Sequence, residues 1–186
     1  MGRRALLAAL LFSAVFSTTA VAQSAERCAP CHGSDGNSAL PGVPSIAGQP
    51  KVFLENVLIL MREGMRGSEA MKQVMKGVSD PDIVALAAHY ARLQARAAPG
   101  NTDPVLFGRG RQVAAKYRCG TCHLPDFSGR EQVQRLAGQR EDYLYEIMRT
   151  YRDAPPPGSD TLMSAALYGV TDADIRAVAH FLARGR

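Results

Sequence analysis

The 186 residues carry a formal net charge of +5, from 22 Lys and Arg against 17 Asp and Glu, and include four cysteines. Arg3 and Arg4 fall in a leader, so the rest of the chain stands at +3, too small an excess to argue for nucleic acid as a partner. No segment after the leader is apolar for long enough to span a bilayer.

The chain opens with Met1-Gly2-Arg3-Arg4, continues through a largely apolar stretch over residues 5–16, and reaches small residues ending Ala20-Val21-Ala22. That is the n-region, h-region and A-x-A cleavage site of a secretory signal peptide. The apolar run is shorter than the roughly 20 residues of a spanning helix, so an uncleaved anchor is the poorer reading. Residues 1–22 are expected to be removed near Ala22 after export by the general secretory route. About 164 residues then remain in the periplasm, enough for two small domains.

Export leads to an oxidising compartment, where four cysteines ordinarily mean two disulfides. Their spacing argues otherwise. Cys28-Ala29-Pro30-Cys31-His32 is Cys-x-x-Cys-His, the pattern of c-type haem attachment, and it recurs as Cys119-Gly120-Thr121-Cys122-His123. Each thiol adds across a vinyl group to form a thioether, and the adjacent His lies beneath the iron as proximal ligand. A zinc site or a pair of disulfides leaves the two matched histidines unexplained. A thioredoxin-like motif requires a βαβ pattern that is absent. Two haems add up to about four propionate charges and bring the molecule close to neutrality.

Beyond the first motif come Pro44-Ser45-Ile46-Ala47-Gly48-Gln49 and then Phe53, Leu54, Val57, Leu58 and Met61, an apolar stripe at helical period that Gly64 can close. Ser79, with Asp82 three residues on and Pro81 in the first turn, starts a last helix whose inner face is Ile83, Leu86 and Tyr90. Residues 94–103 are polar and broken by Pro99 and Gly100, the mark of a linker. A first domain over 23–96, a linker over 97–102 and a second domain over 103–186 follow.

The second half repeats the first. A helix over residues 107–117 precedes its motif, whereas only residues 23–27 precede the first one after cleavage. Leu136-Ala137-Gly138-Gln139 and Tyr143-Leu144 echo Ile46-Ala47-Gly48-Gln49 and Phe53-Leu54 at an offset of 90. Gly169-Val170-Thr171-Asp172-Ala173-Asp174-Ile175 echoes Gly77-Val78-Ser79-Asp80-Pro81-Asp82-Ile83 at 92. The chain is a tandem duplication, all helical, with no convincing strand.

A strong-field sixth ligand makes a haem iron an electron carrier, whereas an open position allows ligand or peroxide chemistry. The first half offers Met61, Met65, Met71 and Met75 and does not decide alone; the second offers Met148 and Met163. Met163 lies eight residues before Thr171, and Met71 lies eight before Ser79. Met148 aligns with Leu58 and reads as helix core. His89 and His180 occupy unmatched places in the repeat and read as polar residues of the last helices. Met71 and Met163 are therefore the expected ligands opposite His32 and His123, each on an extended segment ahead of a capped helix.

With these motifs the chain resembles the class I cytochromes c, specifically the two-domain dihaem type known as cytochrome c-four. The residues that carry the resemblance are Cys28 to Gly33, Pro44 to Gln49, and a Met shortly before a Val-Ser/Thr-Asp-x-Asp-Ile helix start. The resemblance implies two all-helical domains related by a pseudo-twofold, each wrapped around one covalent haem, with propionate edges facing across the interface. It also implies that the Pro44 carbonyl orients the proximal His. Two departures stand out: Leu124 replaces the Gly that follows the motif, and Gln134 replaces Pro44, so the second haem is expected to be held less firmly and to differ in potential.

The function expected is electron transfer in the periplasm between a quinol-oxidising complex or dehydrogenase and a terminal oxidase, with no substrate and no catalytic residue. The alternatives are a dihaem cytochrome subunit of a dehydrogenase, such as a sulfide-oxidising flavocytochrome, and a dihaem peroxidase. Two aligned methionine ligands argue against the peroxidase.

Overall fold

The computed structural model describes residues 25–157, 159 and 161–185. The expected signal peptide lies outside them. In each half a one-turn helix holds the Cys-x-x-Cys-His motif: α1 (Ala29–His32) and, later, α6 (Gly120–His123). The first half continues through α2 (Lys51–Arg62), α3 (Glu69–Met75) and α4 (Asp80–Arg92). The second opens with α5 (Pro104–Lys116) and, after α6, runs through α7 (Glu141–Asp153), α8 (Thr161–Leu167) and α9 (Asp172–Arg184). Among the described residues the only β pairing is an isolated bridge between Arg130 and Val133.

The helices start and stop for local reasons. Ser79 and Thr171 sit in extended backbone and accept from the amides of Asp82 and Asp174, while Pro81 falls in the first turn of α4. Asp103 caps α5 by accepting from Val105 and Leu106, with Pro104 at the first helical position. Acids in the first turns of α4 and α9 and Arg in their last turns suit the helix dipole.

Packing follows the apolar stripes. Leu54 on α2 packs with Leu86 and Tyr90 on α4, and Phe53 and Leu58 lie against that cluster. Among the described residues the second core is larger: Val113 from α5, Leu144, Met148 and Tyr151 from α7, and Ile175, Val178 and Leu182 from α9. Within it α5 meets α9 at Gly110. A Cβ there would meet the Ala177 carbonyl oxygen at 2.0 Å, so only glycine lets the helices approach. The repeat also reaches its ion pairs. Arg62 donates to the Val78 carbonyl and to Asp80, and Arg152 to the Val170 carbonyl and to Asp172, tying α2 to the start of α4 and α7 to the start of α9.

The two halves touch through loops and the end turns of α2 and α7. Gly42 N–H donates to Asp142 (2.8 Å), Phe53 N–H to the Glu131 carbonyl (2.8 Å), and Arg66 to the Tyr151 hydroxyl (2.6 Å). Residues 97 and 98 run beside Gly138, with Ala98 N–H donating to its carbonyl.

Candidate haem sites

His32 and His123 close their one-turn helices and are both buried, at 6% exposure. His32 Nδ1–H donates to the Pro44 carbonyl at 2.8 Å, and His123 Nδ1–H to the Gln134 carbonyl at 3.0 Å. A carbonyl only accepts, so Nδ1 carries the proton and Nε2 keeps its lone pair. Burial pushes both imidazoles below their ordinary pKa, against the smaller opposing effect of the carbonyl bonds, which keeps them in the neutral form that binds metals. Replacing Pro44 by Gln134 lengthens the orienting bond by little and does not remove it.

The residue after each histidine must reverse the chain. Gly33 does so at φ +83°, ψ 147°, and Leu124 at φ +69°, ψ 158°. That region is essentially reserved for glycine, so Leu124 holds its place under strain. Three residues on, Phe127 at φ +57° stands where the first half has Gly36 at +73°.

Cys28 and Cys119 are half-buried, Cys31 and Cys122 exposed, and none is in a disulfide. Burial pushes the Cys28 and Cys119 thiols up, with Tyr90 opposing at Cys28. These are not the lowered thiols of a redox dithiol.

The methionines sort by repeat position. Met71 and Met163 are each the third residue of a seven-residue helix, α3 and α8, so they do not lie on the extended segments expected from the sequence. Ser68 accepts from the Met71 amide and converts that segment into helix. Both are partly buried, and Met163 packs on the second core. Met75 is fully buried and its counterpart is Leu167; Met61 matches Tyr151; Met65 is exposed. Met148 is a core residue of α7. His180 has both nitrogens engaged: Nε2 accepts from the Asp103 amide at 3.0 Å, and Nδ1–H faces Glu141 at 3.1 Å. His89 lies edge-on to Tyr90.

Arg135 bears on whether the chain fits a haem. Its guanidinium is buried where the halves meet and donates to the Ala47 and Ala137 carbonyls, and its Nε has no protein partner. Burial pushes its pKa down. A buried cation with no carboxylate opposite it among the described residues suits an anionic group such as a propionate. Ser164, beside Met163, also has a buried hydroxyl with no protein partner. The sequence reading missed both residues, because neither belongs to the attachment motif.

Two helical repeats, each presenting Cys-x-x-Cys-His with an oriented imidazole, define a c-type cytochrome of class I with two domains. No family model matches the chain. It is 30% identical over 191 residues to the thiosulfate dehydrogenase electron acceptor of Thiomonas intermedia (strain K12), covering 96% of this chain and 88% of that protein. It is 29% identical over 172 residues to the cytochrome c4 of Thiocapsa roseopersicina, covering 83% and 85%. Reduced cytochrome c4 from Pseudomonas stutzeri shares the fold at a TM-score of 0.80 and 23% identity, over 93% of this chain and 100% of that one. A thiosulfate dehydrogenase from Marichromatium purpuratum matches at 0.76 and 25%, over 90% of this chain but 40% of its own. The chain belongs to the dihaem cytochrome c4 family. It carries two covalent haem c groups, transfers electrons, and is a carrier and not an enzyme.

Proposed function

We propose that Cys28 and Cys31 hold one haem and Cys119 and Cys122 the other, with His32 and Met71 as axial ligands of the first iron and His123 and Met163 of the second. The observation that carries this is the twofold-repeated commitment of Nδ1–H to a backbone carbonyl, which fixes each ring and leaves Nε2 as donor. The shared place of Met71 and Met163 in α3 and α8, with Leu167 standing opposite Met75, supports the methionine choice. A haem with His and Met ligands exchanges one electron at a raised potential, because soft thioether sulfur favours ferrous iron. The protein's part is to orient the imidazole, supply the thioether and neutralise propionate charge with Arg135.

The domain limits 23–96 and 103–186, the linker 97–102 and cleavage near Ala22 belong to the same reading, as does residence in the periplasm. Among the described residues no helix is long and apolar enough to cross a membrane. The partners proposed are a quinol-oxidising complex or dehydrogenase as donor and a terminal oxidase as acceptor. A thiosulfate dehydrogenase is a specific candidate donor, supported by the relative named for that role. Rapid-mixing reduction of the chain by a thiosulfate dehydrogenase tests this; failure to reduce either haem excludes it.

Ligation is tested by substitution. Met71→Ala and Met163→Ala are each expected to abolish the weak ferric His/Met charge-transfer band at one haem and open that iron to carbon monoxide. Met148→Ala should keep both bands and cost about 2–5 kcal/mol of stability, as for a buried core side chain. A band lost in the Met148 variant and kept in the Met163 variant overturns the assignment.

A further inference from the structure

We propose that Gln49 and Gln139 are crossed positioning residues, each setting the proximal histidine of the opposite half; this rests on His32 and His123 being the axial ligands. The Pro44–Ser45 peptide accepts from His32 Nδ1–H through its carbonyl (2.8 Å) and donates through its Ser45 N–H to Gln139 Oε1 (2.8 Å). The Gln134–Arg135 peptide accepts from His123 Nδ1–H (3.0 Å) and donates through its Arg135 N–H to Gln49 Oε1 (2.9 Å). Each glutamine then closes a second bond, Nε2 of Gln139 donating to the Ser45 carbonyl (2.8 Å) and Nε2 of Gln49 to the Arg135 carbonyl (3.1 Å). Gln139 Oε1 also accepts from the Arg140 amide (2.9 Å). Gln49 and Gln139 are 4% and 3% exposed, so water does not replace these bonds.

The consequence is electronic as well as mechanical. An amide whose N–H is taken by an acceptor is polarised, and its carbonyl becomes the stronger acceptor. A stronger acceptor at Nδ1–H gives the imidazole more imidazolate character and makes Nε2 more basic. A more basic axial nitrogen favours ferric iron. Each half thereby lowers the potential of the haem in the other, and docking of the halves sets both potentials together. Arg135 and Ser45 differ in side chain, but the bonds run through their backbones, so the arrangement survives the sequence divergence of the repeat.

The test is a redox titration of the full holoprotein followed by NMR, with the iron-shifted Nδ1–H signals of His32 and His123 assigned through contacts within their own halves. Gln49→Leu is expected to raise the potential of the haem on His123 and leave that on His32 unchanged; Gln139→Leu is expected to do the reverse. Gln49→Glu, which keeps an acceptor for the Arg135 amide, should place the His123 haem at or below its parent potential, and it carries the test if the leucine variant does not fold. Shifts confined to the haem of the substituted half, equal shifts at both haems, or no shift overturn the crossed contact. If the parent shows no iron-shifted Nδ1–H from His32 or His123, the ligand assignment itself fails, a result distinct from these.

Discussion

Leu124 holds φ +69° and ψ 158°, a backbone state that costs about 1–3 kcal/mol for a residue with a Cβ. It persists because His123 must point inward while the chain turns back to bring the Gln134 carbonyl to its Nδ1. Leu124→Gly removes that strain and adds back roughly 0.4–1 kcal/mol of unfolded-chain entropy. The expected net gain is about 1 kcal/mol, read from chemical denaturation of the holoprotein. A loss of stability would mean that Leu124 is held by its packing and not merely tolerated. The sequence made the departure from glycine visible, and the backbone angles give its cost. The matching departure at Phe127 was illegible, because a phenylalanine gives no sign that its φ is positive. The attachment motif itself was fully legible, since covalent chemistry fixes its spacing.

At the scale of elements, helices long enough to show a full stripe were readable: α2, α4, α5, α7 and α9 each fall on an expected segment, with ends displaced by a few residues. The seven-residue helices α3 and α8 were not, because two turns carry too few apolar positions to establish a period. Their consequence is functional, since both proposed methionine ligands sit on them. Among the described glycines the closest approach of two helices is α5 against α9 at Gly110, and the sequence alone did not mark it. Gly110→Ala forces the Ala177 carbonyl away from a Cβ placed 2.0 Å from it and should cost about 3 kcal/mol through separation of the two helices. Thermal denaturation measures this; a variant as stable as the parent would show that the helices slide apart freely.

For the whole molecule, the repeat was legible as paired segments but the interface was not: Gln49 and Gln139 read as one more matched pair, with nothing to say that each reaches across. Asp142 is part of the same junction. Burial raises its pKa, but hydrogen bonds from Arg140, Gly42 and Tyr143 outweigh burial and hold the carboxyl below its ordinary range. A lowered folded pKa stabilises the docked state above the unfolded value, about pH 4, and the contribution is lost as pH falls through the folded value. The stability difference between the parent and Asp142→Asn should therefore be present at about pH 7 and shrink towards about pH 3; a constant difference would remove Asp142 from the acid response. The most direct test of the account is an optical redox titration of the mature protein, with haem counted as the pyridine haemochrome after extraction with acidified organic solvent. The account predicts two solvent-resistant haems per chain, two electrons taken up, and two distinct potentials, since Leu124 and Gln134 set the second site apart from the first. One haem per chain, haem lost to solvent, or a single potential fitting both centres would contradict it.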